Sequence, residues 1–215
     1  MLTTELIPAA DPASRQLMVV LHGLGDSMDG YRWLPDALGL PGLNYLLVNA
    51  PDDYFGGYSW YDFSGEPEPG IQRSRQLLFA LLDAQRERGF PSEQTLVFGF
   101  SQGCLMTYEI GLRYSHLLAG LVGISGYVHE PERVLNELST VARRQHFLIT
   151  HGTHDALIPF AEVRAQVHQL KAAQLHLEWH EFAKAHTIAG EAELAVIRAF
   201  IRARFAPEPA RRASP

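Results

Sequence analysis

The chain has 215 residues, enough for a sizeable buried core, and its 47% hydrophobic and 20% charged residues match an ordinary globular protein. Lys and Arg number 18 and Asp and Glu 24, and the net charge of −6 argues against nucleic-acid or anionic-membrane binding. One cysteine, Cys104, excludes an intrachain disulfide framework and a multi-cysteine zinc site, which leaves ten histidines as the groups that titrate near neutrality.

Apolar runs and amphipathic stretches alternate along the chain. Residues 17–21, 44–48, 95–100, 118–124 and 145–150 read as buried strands, whereas 175–182 alternates strictly, as a half-exposed strand does. Helical patterns cover 71–88, 102–114, 160–172 and 191–205. In the last of these, Leu194, Ile197, Ile201 and Phe205 share one face. Strands alternating with helices of this length predict βαβ units and a mainly parallel sheet with helices on both faces. One domain over residues 1–205 is expected, followed by a Pro/Ala/Arg-rich tail, 206–215, whose composition reads as disordered. No run reaches the roughly 18 apolar residues of a membrane helix. The start, Met1-Leu-Thr-Thr-Glu-Leu-Ile-Pro8, lacks signal-peptide features, so a cytoplasmic enzyme or binding protein is the default expectation.

Open α/β sheets bind ligands at the carboxyl ends of their strands, which directs attention to the residues after each apolar run. Strand 95–98 runs into Gly99-Phe100-Ser101-Gln102-Gly103 and a helical pattern begins at once. This is a Gly-x-Ser-x-Gly nucleophile elbow in its strand–turn–helix setting. Serine is a weak nucleophile without a base, and the base needs an acid, here expected in the order Ser, Asp or Glu, His. His116 lies beyond the helix that follows the elbow, His129 just past the strand end at Ser125-Gly126, His146 at the start of a strand, His168 in mid-helix, and His176 and His180 in the alternating strand. His186 lies in a loop between the last strand and the last helix, where it can reach the serine. Asp155, on the loop after strand 145–150, stands between nucleophile and base in the chain and would fix the imidazole tautomer. Two backbone amides would form the oxyanion hole: that of Gln102, directly after the serine, and that of Leu24 in the loop His22-Gly23-Leu24-Gly25-Asp26. That loop lacks the third glycine of a dinucleotide fingerprint.

These motifs together resemble the phospholipase/carboxylesterase family of α/β-hydrolases, which includes the acyl-protein thioesterases. The resemblance rests on Leu21-His-Gly-Leu-Gly-Asp26, Ala50-Pro51, Ser59-Trp-Tyr-Asp62, Gly99-Phe-Ser-Gln-Gly103, Ser125-Gly126, His151-Gly-x-x-Asp155 and Ala185-His186, spread over residues 17–205. It implies a Ser101–Asp155–His186 triad with the Leu24 and Gln102 amides as oxyanion hole, which the residue-level reading reaches on its own. It also implies a small-molecule or lipid-like ester substrate and a homodimer, although no residue pattern here speaks for dimerisation. Two departures stand out. Phe182-Ala-Lys-Ala-His186 replaces the glycine usually beside the histidine, and Cys104, read as a buried and inert thiol, stands where another glycine is common.

Residues 54–63 crowd six aromatics into ten positions after a strand end, and Trp60 is expected near the substrate by position and by resemblance. A metal is not expected. His151, His154 and Asp155 lack the spacing of a helical ligand pair, and His176 with His180 lacks a third ligand. The reading is therefore a serine carboxylesterase acting through an acyl-enzyme without a cofactor. Lysophospholipase or acyl-protein thioesterase activity is the alternative, and a non-catalytic hydrolase-fold binding protein is the rival from another class.

Overall fold

The computed structural model describes residues 1–206. All but the first residue of the tail read as disordered lies outside the described residues. In chain order the elements are β1 (Thr4–Ile7), β2 (Leu17–Leu21), α1 (Leu34–Leu38), β3 (Asn44–Val48), β4 (Asp52–Tyr54), β5 (Gly57–Ser59), α2 (Pro67–Glu87) and β6 (Thr95–Phe100). They continue with α3 (Gln102–Arg113), β7 (Gly120–Ile124), α4 (Pro131–Asn136), β8 (His146–Gly152), α5 (Phe160–Ala172), β9 (His176–Phe182) and α6 (Glu191–Phe205).

Seven strands form one sheet in the order β1-β3-β2-β6-β7-β8-β9. Every pairing is parallel except β1 with β3, where Thr4 faces Val48 and Ile7 faces Tyr45. The central strands are buried along their length, as strands covered on both faces must be. Alternation sorts their side chains. Leu17, Val19, Leu21 and Val97 enter a core with Leu78 of α2, Leu105 of α3 and Val167 of α5. Met18, Val20, Leu96 and Phe98 enter a second core with Leu34 and Leu38 of α1 and Ile197 and Ile201 of α6. The expected α/β-hydrolase architecture, a mainly parallel sheet between helical layers, is the one present.

The long elements fall where periodicity puts them, and the differences lie in short ones. The sequence reading has no counterpart for β1, α1, α4 or the β4–β5 hairpin. The hairpin turns at Phe55 and Gly56, both at positive φ (45° and 91°), the signature of a tight two-residue turn. Helix α2 starts at Pro67 rather than at residue 71, because prolines are tolerated in a first turn, whose amides have no helical acceptor. β7 starts at Gly120, later than residue 118. The Leu118 amide is taken by the side chain of Gln145, and the Ala119 amide by the carbonyl of Thr95.

Candidate active site

Ser101 joins the end of β6 to the first residue of α3 with φ 55° and ψ −116°, a conformation an L-residue holds only when its surroundings impose it. Close packing imposes it here. A β-carbon on Gly99 would lie well under 3.0 Å from the carbonyl of Gly103, and one on Gly103 would overlap the carbonyl of Leu21. Strand and helix thus approach to a distance only glycine allows, and the turn between them has no slack. Cys104, one residue further on, is fully buried, and burial pushes its thiol up to about 12.

The structure brings Ser101, His186 and Asp155 together. His186 Nε2 lies 2.9 Å from Ser101 Oγ, and His186 Nδ1 lies 2.8 Å from Asp155 Oδ2. An ionised carboxylate only accepts, so Nδ1 carries the proton and Nε2 faces the serine with its lone pair. Asp155 is buried, which opposes ionisation, but the amides of Ile158 (2.9 Å) and Leu157 (3.0 Å) and the ring of His186 outweigh this and hold the carboxyl below its usual range. Behind it His151 is fully buried. Its Nε2 lies 2.9 Å from the Ile158 carbonyl, and desolvation lowers its affinity for a proton.

The His186 loop departs from the sequence reading in what holds it. Lys184, two residues before the histidine, turns inward and places Nζ 2.6 and 2.9 Å from the two carboxylate oxygens of Glu193 on α6. The lysine side chain is 3% exposed and the glutamate 0%. The same carboxylate accepts the Thr150 hydroxyl of β8 and the Ala189 amide, so one acidic side chain ties both ends of the loop to the sheet. Composition marks Lys and Glu as surface residues, and only their nine-residue separation across a loop hints at a pair.

Leu24 and Gln102 line the same cleft as Ser101. Among the described residues neither backbone amide is used in a loop or cap hydrogen bond. The Leu24 loop is clamped to the β4–β5 hairpin by Gly25 N to Tyr58 O and Tyr58 N to Asp26 O, both 2.9 Å. From below it is held by His22, which is fully buried. Ala50 N donates to His22 Nε2 at 3.0 Å, so the ring proton sits on Nδ1 and points at the Gly23 carbonyl, 2.6 Å away.

Trp60 requires a correction. It is fully buried and does not line the cleft beside Ser101. Its indole N–H donates to the His22 carbonyl at 2.9 Å and its backbone amide to the Gln102 side chain at 2.9 Å, so it braces the start of the Leu24 loop. The indole points inward because a carbonyl in the interior needs a donor. The aromatics that do reach the cleft are its neighbours Tyr61 and Phe63.

That cleft has a volume of about 280 Å³ and is walled by Tyr61, Phe63, Tyr127, Leu157 and Ile158, with Ser101 and His186 at its floor. Leu157 and Ile158 come two and three residues after Asp155, so one loop supplies both that carboxylate and part of the apolar wall. Elsewhere Glu68, His129 and Glu130 could bring ligand atoms within 4.8 Å of one another. Arg133 already pairs with both carboxylates, at 2.5 and 3.0 Å, and supplies the positive charge such a group would seek.

The phospholipase/carboxylesterase family profile matches residues 2–205. Among curated relatives, an acyl-protein thioesterase 1 of Schizosaccharomyces pombe is 34% identical over 155 residues, covering 66% of this chain and 69% of its own. A protein of the same name from Yarrowia lipolytica is 28% identical over 194 residues, covering 80% and 85%. Among solved structures, that of esterase PE8 superposes with a TM-score of 0.82 at 27% identity, over 95% of this chain and 99% of that one. With a match over nearly its whole length, the chain belongs to the phospholipase/carboxylesterase family of α/β-hydrolases and is a hydrolase of ester or thioester bonds.

Proposed function

We propose that Ser101 is the nucleophile of this hydrolase, His186 its general base and acid, and Asp155 the residue that orients the imidazole. The observation that carries this reading is the unbroken hydrogen-bond series from Ser101 Oγ through His186 to Asp155, at 2.9 and 2.8 Å, on the floor of an apolar cleft. In the first half-reaction Ser101 Oγ attacks the acyl carbon while its proton passes to His186 Nε2. The carbonyl oxygen becomes an oxyanion that accepts from the Leu24 and Gln102 amides, helped by the N-terminus of α3. When the intermediate collapses, the bond to the leaving oxygen or sulfur breaks and His186 returns the proton to that atom. Water then repeats the sequence on the acyl-enzyme and releases the acid. The reaction so written calls for no cofactor.

The substrate is a carboxylic ester whose acyl part enters the cleft between Tyr61, Phe63, Tyr127 and Leu157. Thioesters belong to the same chemistry, and the relatives named acyl-protein thioesterase favour testing them alongside. Ser101→Ala should abolish hydrolysis of a chromogenic short-chain ester, a loss on the order of 10⁶ in turnover, and labelling by a fluorophosphonate should vanish with it. A variant that keeps either property would remove Ser101 from the mechanism.

A further inference from the structure

A second cleft, of about 400 Å³, adjoins the first. The two share Asp26, Phe100 and His186, but the second contains neither Ser101 nor the oxyanion residues. On the acyl-transfer reading proposed above, on which this inference rests, the position of the halves of an ester follows. The acyl carbon must lie against Ser101 and the two amides. The leaving oxygen must lie beside His186 Nε2, which protonates it, so the alcohol half continues past His186 on the side away from the acyl cleft. The second cleft is on that side, bounded by Thr187 and Ile188 of the histidine loop.

Its chemistry is selective. Asp26 is exposed and, among the described residues, is the only carboxylate on either lining, and no described Lys or Arg is on them. Among the described residues no basic side chain pairs with it. The nearby Arg32 is engaged by Glu5 and Asp29, at 2.6 and 2.9 Å, and Arg198 by Glu191 at 3.0 Å and the carbonyls of Ala37 and Leu38. The carboxylate is held in place: Oδ1 accepts the Ser27 amide at 2.7 Å, and the missing β-carbon of Gly30 leaves the space it occupies. Trp33 is on the same lining, 41% exposed and stacked on Tyr31 with ring centroids 6.4 Å apart. A cleft lined by an unpaired carboxylate and an accessible indole is a site for an organic cation, and the net charge of −6 favours its approach.

We propose that this cleft is the leaving-group subsite and that it selects esters of ammonium-bearing alcohols, with Asp26 and Trp33 as the selecting residues. The ammonium takes no part in bond making. The ester C–O bond breaks, His186 gives its proton to the alcohol oxygen, and the amino alcohol leaves with its charge unchanged.

The test compares butyrylcholine with 3,3-dimethylbutyl butyrate, which differ only by a quaternary nitrogen in place of a carbon. Wild-type kcat/KM should favour the cationic ester by on the order of tenfold, and added salt should reduce that ratio. Asp26→Asn should bring the ratio close to one, and Trp33→Leu should lower it several-fold. Equal hydrolysis of both esters by the wild type, or a ratio that Asp26→Asn leaves intact, would overturn the subsite while the esterase reading stands. Hydrolysis of neither ester, with Ser101 unlabelled by a fluorophosphonate, would overturn both.

Discussion

The turn that carries Ser101 and the loop that carries His186 meet across 2.9 Å, yet different forces hold them. The turn is fixed by steric exclusion against backbone, with Gly99 against Gly103 four positions on and Gly103 against the end of β2. The loop makes one such contact, Gly152 of β8 against the carbonyls of Lys184 and Ala185, and adds polar ties that the turn lacks. It is fixed by a buried ion pair whose partners come from the loop and from α6, with Thr150 of β8 as a third anchor.

The comparison can be broken first at the junction itself. Asp155→Asn leaves the fold of both parts intact but permits the wrong imidazole tautomer, and kcat at neutral pH should fall by about 10⁴. A loss below tenfold would mean that the loop alone orients His186. Next comes the anchorage. Glu193→Gln leaves the Lys184 charge buried without a partner and should cost about 3–5 kcal/mol, a drop of roughly 6–20 °C in thermal midpoint. Lys184→Met combined with Glu193→Gln should recover much of that loss, because an apolar and a neutral side chain have no charge to compensate. Failure to recover would show that the contacts to Thr150 and Ala189 matter more than the pair.

The turn should behave in the opposite way. Gly103→Ala inserts a methyl against backbone and should cost about 1–3 kcal/mol together with most of the activity, and no neutralising second change should rescue it. Trp60→Phe removes one buried donor to the His22 carbonyl. It should cost about 1 kcal/mol and lower kcat while leaving acyl-length preference alone. A shift in that preference would return Trp60 to the cleft wall. The smallest effect is on pH dependence. Asp155 has a folded pKa below its unfolded value, so its contribution to stability is complete above about pH 4 and fades as pH falls through the depressed value. Denaturation midpoints of wild type and Asp155→Asn, followed from pH 7 downward, should therefore converge in acid.

The same division explains what the sequence makes legible. Ser101, the Leu24 loop, Asp155 and His186 can be read as one cluster because each follows a strand, and strand ends in a parallel sheet are neighbours whatever the loops do. The two core faces can be read for the same reason, since alternation along β2 and β6 is a local property. The inward turn of Trp60 could not be read, because it depends on the carbonyl of His22, thirty-eight residues away, needing a donor. Lys184 and Glu193 look like solvent-facing residues until the loop folds back over Thr150. Short elements such as the β4–β5 hairpin carry too few residues to show a period, and Phe55 at positive φ is not a residue that turn statistics favour.

Cys104 has a practical consequence. It is the chain's one thiol, it has no solvent exposure, and burial pushes its ionisation to about 12, so a thiol reagent meets almost no thiolate in the native state. It lies under the elbow, packed against Gly123 and Gly126, where no movement short of separating α3 from the sheet can uncover it. Modification by a maleimide or disulfide reagent therefore counts opening events of the central fold, and its rate in increasing denaturant gives the free energy of that opening without an added probe.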